Sequence, residues 1–464
     1  MPSLDAVVVG GGIAGLAAAF ELSQSSASFV VLERAPRAGG VIISESIDGF
    51  TIDGGPDSLL IQKPAAIKLC EELGLGDRLV ATKPPRLAYI QRGGRLHALP
   101  AASVLGIPTR IGPFARTSLF SWPGKLRMAA EVAVPARRDG GDESIGAFIE
   151  RRFGAEAKTY LAEPLLAGIH AGDVDRLSIR ALFPRLVEAE EKHGSLLRAF
   201  RKPSGARPES RGRGPAIEGA FKSLPGGLSE MIDALVRAIG TTTIRTNTSV
   251  TSIAGSGPFT VRTAAGEEIS TRAVIVATPA YVTSVLMRDR DDELARFCGE
   301  VRYASAGTVA FAFRRDAIAH PLSGSGFVVP QVEGSGILAA SWLSSKWPHR
   351  APEDGALLRT FVGGARDPQA LERSDGELVA RSIAALTPLL GISAEPLFTR
   401  VYRFDRGNAQ HEVGHLARMA AIDKALARHP GLFLTGSGFR GVGIPDCVAD
   451  ARAIARQVTA WLHK

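Results

Sequence analysis

The 464-residue chain is poor in cysteine, in aromatic residues and in long apolar runs. Its cysteines, Cys70, Cys298 and Cys447, are far apart and form no CxxC pair, which argues against a disulfide framework or structural zinc and fits a reducing compartment. Aromatics make up only 6% and do not interleave with basic residues, so the formal charge of +8 does not mark a nucleic-acid binder. That charge is spread out, with small clusters such as Arg137-Arg138 and Arg151-Arg152, and leaves an acidic ligand, an anionic lipid surface or plain solubility as its use. No apolar stretch approaches the roughly 18–20 residues that cross a bilayer. The first apolar run lacks a basic lead and contains a glycine loop, so it does not read as a signal peptide. The expectation is a cytoplasmic protein, with any membrane contact peripheral and on the inner face. No G-x-S-x-G elbow occurs, which sets serine hydrolysis aside.

Glycine is abundant, and its placement is informative. Ala6-Val7-Val8-Val9 leads into Gly10-Gly11-Gly12-Ile13-Ala14-Gly15, then an Ala-rich helical stretch from Leu16 to Leu22. A second apolar run, Phe29-Val30-Val31-Leu32, ends at Glu33. Strand, glycine turn, helix, strand and acid occur in the order that a dinucleotide site needs. Gly10 permits the tight turn, Gly12 lets the backbone approach a pyrophosphate, and Gly15 lets helix pack on strand. The free N–H groups at the helix start face phosphate, and Glu33 suits the ribose hydroxyls.

Hydrophobic residues at 45% and charged residues at 22% suit an ordered protein of roughly three domain-sized units. From Pro84 the chain turns irregular, and helical patterns then run from Lys125 to about Phe200, with Asp142-Glu143-Ser144 marking one helix start. Residues 201–218 hold five basic and two acidic residues with three prolines, which reads as a loop. Short strands follow at Thr243–Arg245, Ser249–Ile253, Phe259–Thr263 and Ala273–Ala277. At the far end Gly431–Gly436 reads as strand into turn, glycines continue at Gly438, Gly441 and Gly443, and Pro445-Asp446 opens a helix running from Cys447 to Leu462. Two glycine loops at opposite chain ends suit a cofactor long enough to touch both, as FAD is.

His411-Glu412-Val413-Gly414-His415 spells the zinc motif HExxH. That chemistry needs both histidines on one face of a stable helix, and Gly414 and Val413 weaken any helix there, so no metal is expected.

Arg37-Ala38-Gly39-Gly40 and Gly54-Gly55-Pro56 resemble the RxGG extension and the flavin-approach segment of the flavin amine oxidase superfamily. Gly168-Ile169-His170-Ala171-Gly172-Asp173 with Leu177 to Pro184 resembles the GVYAGD…LSxxxxFP region of protoporphyrinogen and coproporphyrinogen oxidases. So do Trp347-Pro348-His349-Arg350-Ala351-Pro352, Gly414-His415 and Gly441 to Cys447 their FPxRAP, GH and GVGxxDC stretches. The resemblance implies an α/β fold with a Rossmann-like FAD domain, a mixed-sheet substrate domain and a helical insertion. It implies FAD-dependent oxidation of protoporphyrinogen IX in haem synthesis, or of coproporphyrinogen III as the alternative, by hydride transfer to flavin N5 with oxygen as acceptor and peroxide as product. Other flavin enzymes of the superfamily should lack the GxxAGD…LSxxxxFP region, and relatives of the Rab GDP-dissociation inhibitors should lack the full flavin set.

Carried over by position, the cofactor residues are Gly10 to Gly15, Glu33, Arg34, Gly39, Gly40 and Gly54-Gly55-Pro56. Val250 (for the adenine), Ala277, Gly436, Val442, Gly443 and Ile444 complete that set. Arg86 matches an arginine that pairs a substrate propionate, Val328 and Leu338 match residues packing the tetrapyrrole, and Gly168 lines its other side. No side chain reads as a general base. Ser325, His170 and His411 depart from the family's usual aromatic residues. The expected divisions are 1–70, 219–290 and 425–464 for FAD, 71–92 and 291–424 for substrate, and 93–205 for the insertion. Within Pro100–Phe120 and the adjoining Ser121-Trp122, Val104, Leu105, Ile107, Ile111, Phe114, Leu119, Phe120 and Trp122 beside Arg110 and Arg116 read either as a lipid-facing surface or, because prolines break any long helix there, as a buried irregular loop roofing the active site. A homodimer and hand-off of product to the next enzyme of the pathway are compatible partners.

Overall fold

A computed structural model describes residues 3–99, 103–104, 107–108, 111–137, 139–201 and 219–463. Strand Leu4–Val9 is buried from Ala6 onward, because parallel neighbours flank it and helices cover both faces. This is why its apolar run is continuous rather than alternating. Phe29–Leu32 lies on one side, with Ile244–Arg245 beyond it, and Glu268–Val276 lies on the other. The last strand has two roles. Its first half pairs antiparallel with Phe259–Thr263, and its second half pairs parallel with Leu432–Leu434. Helices Ile13–Ser23, Ser229–Ile239 and Ile444–Leu462 bury their apolar sides on one face. Ala280–Met287, Asp292–Gly299 and His415–Leu426 cover the other, giving the doubly covered Rossmann-like layer.

A second, mixed sheet runs in the order Phe398–Gln410, Arg302–Arg314, Gly355–Gly363, Ala339–Trp342, Gly326–Val328, Tyr89–Arg92 and Arg95–Ala98. One face packs on helix Asp375–Leu390, whose start is fixed by a capping box between Ser374 and Glu377. The other face buries Ala310, Ala312 and Leu357 with Phe50, Ile52 and Trp347.

Helices between Ile111 and Arg201 form a third core around Phe148, Leu161, Leu177 and Ile179. Ser144 caps helix Ile145–Phe153 by accepting from the Ala147 N–H, as the sequence signal indicated. Arg152 is fully buried and donates to Glu131, to Glu190 at 3.1 Å and to the Gly194 carbonyl at 2.9 Å. One member of that basic pair is therefore an internal charge. Phe114 and Phe120 are also buried, their rings 5.9 Å apart, so of the two readings open for this stretch these residues take the buried one and do not face lipid. A helical layer of this size needs its own core, and these aromatics fill it. Trp122, from the same candidate surface, is exposed, as is Leu126 on its helix, Trp122–Ala129. Residues 100–102, 105–106 and 109–110, the side chains of the others up to 113, and residues 202–218, expected to be a loop, lie outside the described residues. Among the described residues no helix is long and apolar enough to cross a membrane.

Candidate active site

The first glycine loop is shaped by close backbone approaches. Gly10 has φ +106°, and a Cβ on Gly15 would lie 1.8 Å from the Gly10 carbonyl oxygen, so neither position accepts a side chain. The Gly11 N–H donates to Glu33 Oε2 at 2.6 Å, and the Ala35 N–H donates to Oε1 at 2.8 Å. These bonds hold the carboxylate at the end of the second strand beside the loop. Gly12 starts helix Ile13–Ser23 with no side-chain cap, and a Cβ built there would meet nothing within 4 Å. Uncapped N–H groups with open space before them can hold a pyrophosphate, so this loop fits FAD. Ile13 and Ala14 form the first turn of that helix.

Arg37 ties the following segment together, donating to the carbonyls of Ala38, Gly40 and Ile42. The Gly39 N–H in turn donates to the Gly11 carbonyl at 2.7 Å, and Arg34 is exposed nearby in sequence. Thr248 N–H donates to the Glu33 carbonyl at 2.8 Å, which brings the chain just before Val250 against the acid. The carboxyl ends of the parallel strands bring Gly10, Ala277 and Gly436 together. A Cβ on Gly10 would sit 2.8 Å from the Ala277 carbonyl oxygen, and one on Gly436 would sit 3.9 Å from the same atom. Such a crevice at strand ends is where open α/β sheets bind ligands.

Gly54 and Gly55 pack closely against strand Phe398–Gln410 and the chain at Val41. A Cβ on Gly54 would strike the Tyr402 ring at 2.5 Å, and one on Gly55 would lie 2.0 Å from the Val41 carbonyl oxygen. Thr308 Oγ1 donates to the Gly54 carbonyl at 2.6 Å, and Arg359 donates to the carbonyls of Asp53 and Gly55. Pro56, half-buried, follows directly. At the far end of the chain, Gly443 starts helix Ile444–Leu462 without a side-chain cap, with Val442 half-buried before it. The residue that opens this helix is Ile444, three positions earlier than expected, and Asp446 sits within its first turn.

On the side of the second sheet, Gly168 lies on helix Glu163–His170, where a Cβ would approach Val328 Cγ1 to 3.3 Å. Leu338 is buried with Ala167 and Ala171. Gly168, Val328 and Leu338 are therefore neighbours. Arg86 is exposed just before strand Tyr89–Arg92, which pairs with the strand carrying Val328, and its Nε donates to Thr82 at 3.1 and 3.2 Å. His170 stands at the end of the Gly168 helix, and burial pushes its imidazole down to about 4, with Lys63 adding to the effect. Ser325 is half-buried, its N–H bonded to the Leu87 carbonyl at 2.8 Å.

The sequence pattern of the family described as flavin containing amine oxidoreductase matches residues 13–459. The chain belongs to that family. It is 34% identical to a coproporphyrinogen III oxidase of Bacillus subtilis (strain 168), over 98% of both chains. It is 29% identical to a chloroplastic protoporphyrinogen oxidase of Nicotiana tabacum, covering 99% of this chain and 86% of that one. A crystal structure of a proposed protoporphyrinogen oxidase from Exiguobacterium sp. 255-15 superposes with a TM-score of 0.87 at 32% identity, over the full length of both chains. The protein is an FAD-dependent oxidoreductase of the porphyrinogen oxidase group.

This flavoenzyme also contains an ionic cluster that sequence reasoning missed. Asp57 is buried against Lys346 Nζ at 2.9 Å, Arg359 Nη2 at 3.4 Å and Trp347 Nε1 at 3.3 Å. Burial alone would raise its pKa, but the two cations outweigh burial and hold it below the usual carboxylate range. Asp53 pairs with buried Arg350 at 2.8 Å, yet burial outweighs that pairing and its pKa is raised. Both carboxylates flank the Gly54-Gly55-Pro56 segment, so the cluster fastens it to the second sheet. The only prior signal was the stretch containing Trp347 and Arg350, to which no role was attached; Arg359 gave none.

The HExxH run does not take the one-helix arrangement that a zinc site of that motif needs. Strand Phe398–Gln410 ends before His411, and helix His415–Leu426 begins at His415, so the two histidines do not share a helix. Among the described residues no group of three or more His, Cys, Asp or Glu side chains could hold a metal.

Proposed function

We propose that the enzyme oxidises coproporphyrinogen III to coproporphyrin III, a six-electron dehydrogenation with oxygen as the final acceptor. The observation carrying this reading is the full-length 34% identity to the bacterial coproporphyrinogen III oxidase, against 29% to the chloroplastic protoporphyrinogen oxidase. Physical chemistry points the same way. A tetracarboxylate travels through water without a lipid carrier, and Phe114 and Phe120, two of the aromatics on the candidate lipid surface, are buried.

FAD, when bound, supplies the hydride acceptor. Gly10 to Gly15 with Glu33 and Arg34 would hold its pyrophosphate and ribose, Val250 its adenine, and Gly54-Gly55-Pro56 with Val442, Gly443 and Ile444 the ring end. Gly168, Val328 and Leu338 offer the macrocycle an apolar wall, and Arg86 can pair a carboxylate at its edge.

The second reading, protoporphyrinogen oxidation at a membrane surface, is favoured by one feature. Trp122 and Leu126 are 68% and 69% exposed one helical turn apart, with exposed Arg116 and Arg127 nearby in sequence. Anaerobic mixing of the holoenzyme with each porphyrinogen decides between them. Coproporphyrinogen should bleach the flavin band at the higher second-order rate; a faster reaction with protoporphyrinogen overturns the first reading. Arg86→Ala should raise KM for coproporphyrinogen roughly ten- to a hundredfold with the flavin spectrum intact, the scale of one charge-assisted contact. An unchanged KM removes Arg86 from the site.

A further inference from the structure

His411 and His415 remain without a role once zinc is set aside. Their rings stack, with centroids 3.7 Å apart and planes 12° from parallel. His411 Nε2 lies 2.9 Å from the Ser437 carbonyl oxygen, and His415 Nε2 lies 2.7 Å from the Phe439 carbonyl oxygen. A carbonyl only accepts, so both Nε2 atoms carry hydrogen and neither has a lone pair there for a metal. Both side chains are buried, at 2% and 1% exposure, and burial first, then the neighbouring His415, pushes His411 down to about 3. Two neutral rings therefore grip two carbonyls that flank Gly438, inside the loop running from Gly436 to the helix start at Gly443.

The other side of the histidine segment is fastened to the helical layer. Ser178 N–H donates to the His411 carbonyl at 2.9 Å, and Val413 N–H donates to the Arg176 carbonyl at 2.8 Å. Gly414 N–H donates to Asp142 Oδ2 at 3.1 Å, and Glu412 pairs with Arg176 at 3.0 Å. The glutamate of the motif is thus a partly exposed ion-pair partner with no access to a buried metal. Helix Glu163–His170, which carries Gly168, belongs to the same layer.

We propose that His411 and His415 are positioning residues for the cofactor: by donating to the Ser437 and Phe439 carbonyls they hold the C-terminal glycine loop in the shape that meets FAD, and they tie that shape to the helical layer on the substrate side. This rests on the placement of FAD against Gly436, Val442 and Gly443, and is independent of which porphyrinogen is oxidised. Loop carbonyls gripped this way cannot swing toward the cofactor and present a partial negative charge where its phosphates or ring oxygens lie.

The test is FAD titration of apoprotein stripped from the holoenzyme, read by quenching of flavin fluorescence, with no porphyrinogen present. His411→Phe keeps an aromatic ring to stack on His415 and loses the donor. It should weaken FAD binding about ten- to a hundredfold, the scale of one buried hydrogen bond, and blur the vibronic shoulder of the 450-nm flavin band. His411→Gln keeps an N–H donor and should stay within roughly threefold of wild type. Wild-type FAD affinity in a folded His411→Phe apoprotein overturns the proposal. Should His411→Phe fail to fold, His411→Gln decides: near-wild-type affinity supports the donor role, and a tenfold loss overturns it. Gly12→Val serves as the control for the cofactor placement itself, since it strikes the N-terminal loop and leaves the histidine grip intact.

Discussion

The two glycine segments at the chain ends reach similar helix starts by different means. The first is made almost wholly from its own backbone. Gly10 adopts φ +106°, Gly15 lies against the Gly10 carbonyl, and Glu33, at the end of the next strand, fixes the Gly11 N–H. The second is held by side chains brought from elsewhere: His411 and His415 on its carbonyls, Asp450 accepting from Thr435 Oγ1 at 2.6 Å, and Lys63 paired with Asp446 at 2.7 Å. A loop that is its own scaffold depends on what its glycines lack. A loop built by tertiary contacts depends on distant residues, and should weaken by degrees.

Gly15→Ala is the most severe way to break that contrast. Alanine favours a helix over glycine by about 1 kcal/mol, yet its Cβ would sit 1.8 Å from a backbone oxygen that cannot move without the strand. The clash should win, costing at least about 3 kcal/mol of stability and the bound flavin. Chemical denaturation of the variant checks this, and an unchanged midpoint would show that the loop is not self-scaffolded. Gly12→Val sharpens the same point with a larger side chain. Its Cβ meets nothing, so the apoprotein should fold with a loss below about 1 kcal/mol from the poorer helix cap. FAD affinity, by contrast, should fall beyond detection. A folded, fully flavinylated Gly12→Val protein would falsify the pyrophosphate assignment.

The same contrast explains what could be read from the sequence. Gly10 to Gly15, Glu33, Ser144 as a helix cap, and the strands Phe29–Leu32 and Phe259–Thr263 are each encoded within a few residues, and each stands where the pattern places it. Strand Glu268–Val276 extends five residues before the apolar run at Ala273, because its polar first half is a half-exposed antiparallel partner with no apolar signature. The Asp53–Arg350 and Asp57–Lys346–Arg359 contacts join segments about 300 residues apart, and no local pattern announces them. Phe114 and Phe120 leave two readings open in the sequence, because apolar residues beside arginines look alike whether they face lipid or a neighbouring helix. Only the helices packed over them distinguish the two cases. HExxH misleads for the complementary reason: its spacing is helical, but a strand end and Gly414 at φ +87° divide it.

Acid should loosen the C-terminal segment before the N-terminal one, since residues 1–60 contain no histidine. His170 faces Lys63 and Asp446, while His411 faces His415, His170 and the Ser437 carbonyl; burial lowers their pKa values to about 4 and about 3 from 6.5. The unfolded chain therefore binds protons that the folded one refuses. Stability from these groups is complete above pH 6.5 and is lost as pH falls from there toward 4, at roughly 1.4 kcal/mol per pH unit for each histidine. Denaturation midpoints between pH 7 and 5 should show the slope, and His170→Phe should flatten it by one histidine's share. An identical slope in that variant would mean that His170 titrates normally in the folded protein.

The smallest expected effect tests whether the two ends are joined by charge or by shape. Lys63 and Asp446 form an ion pair linking the N-terminal part of the chain to the first turn of the last helix, but their side chains are 50% and 26% exposed. Water and salt screen a pair at that exposure, and holding the lysine costs side-chain entropy, so its net contribution is about 0–1 kcal/mol. Lys63→Ala should therefore shift the denaturation midpoint only slightly, and the shift should vanish in about 0.5 M salt, where the screening length falls to a few ångströms. FAD affinity should barely change, because the helix start at Gly443 is placed by the buried strand Leu432–Leu434 and by Thr435 on Asp450 rather than by this pair. A loss of FAD affinity as large as that expected for His411→Phe would reverse the ranking. It would make the exposed charge the fastening of the second loop, and leave the buried histidine grip secondary to it.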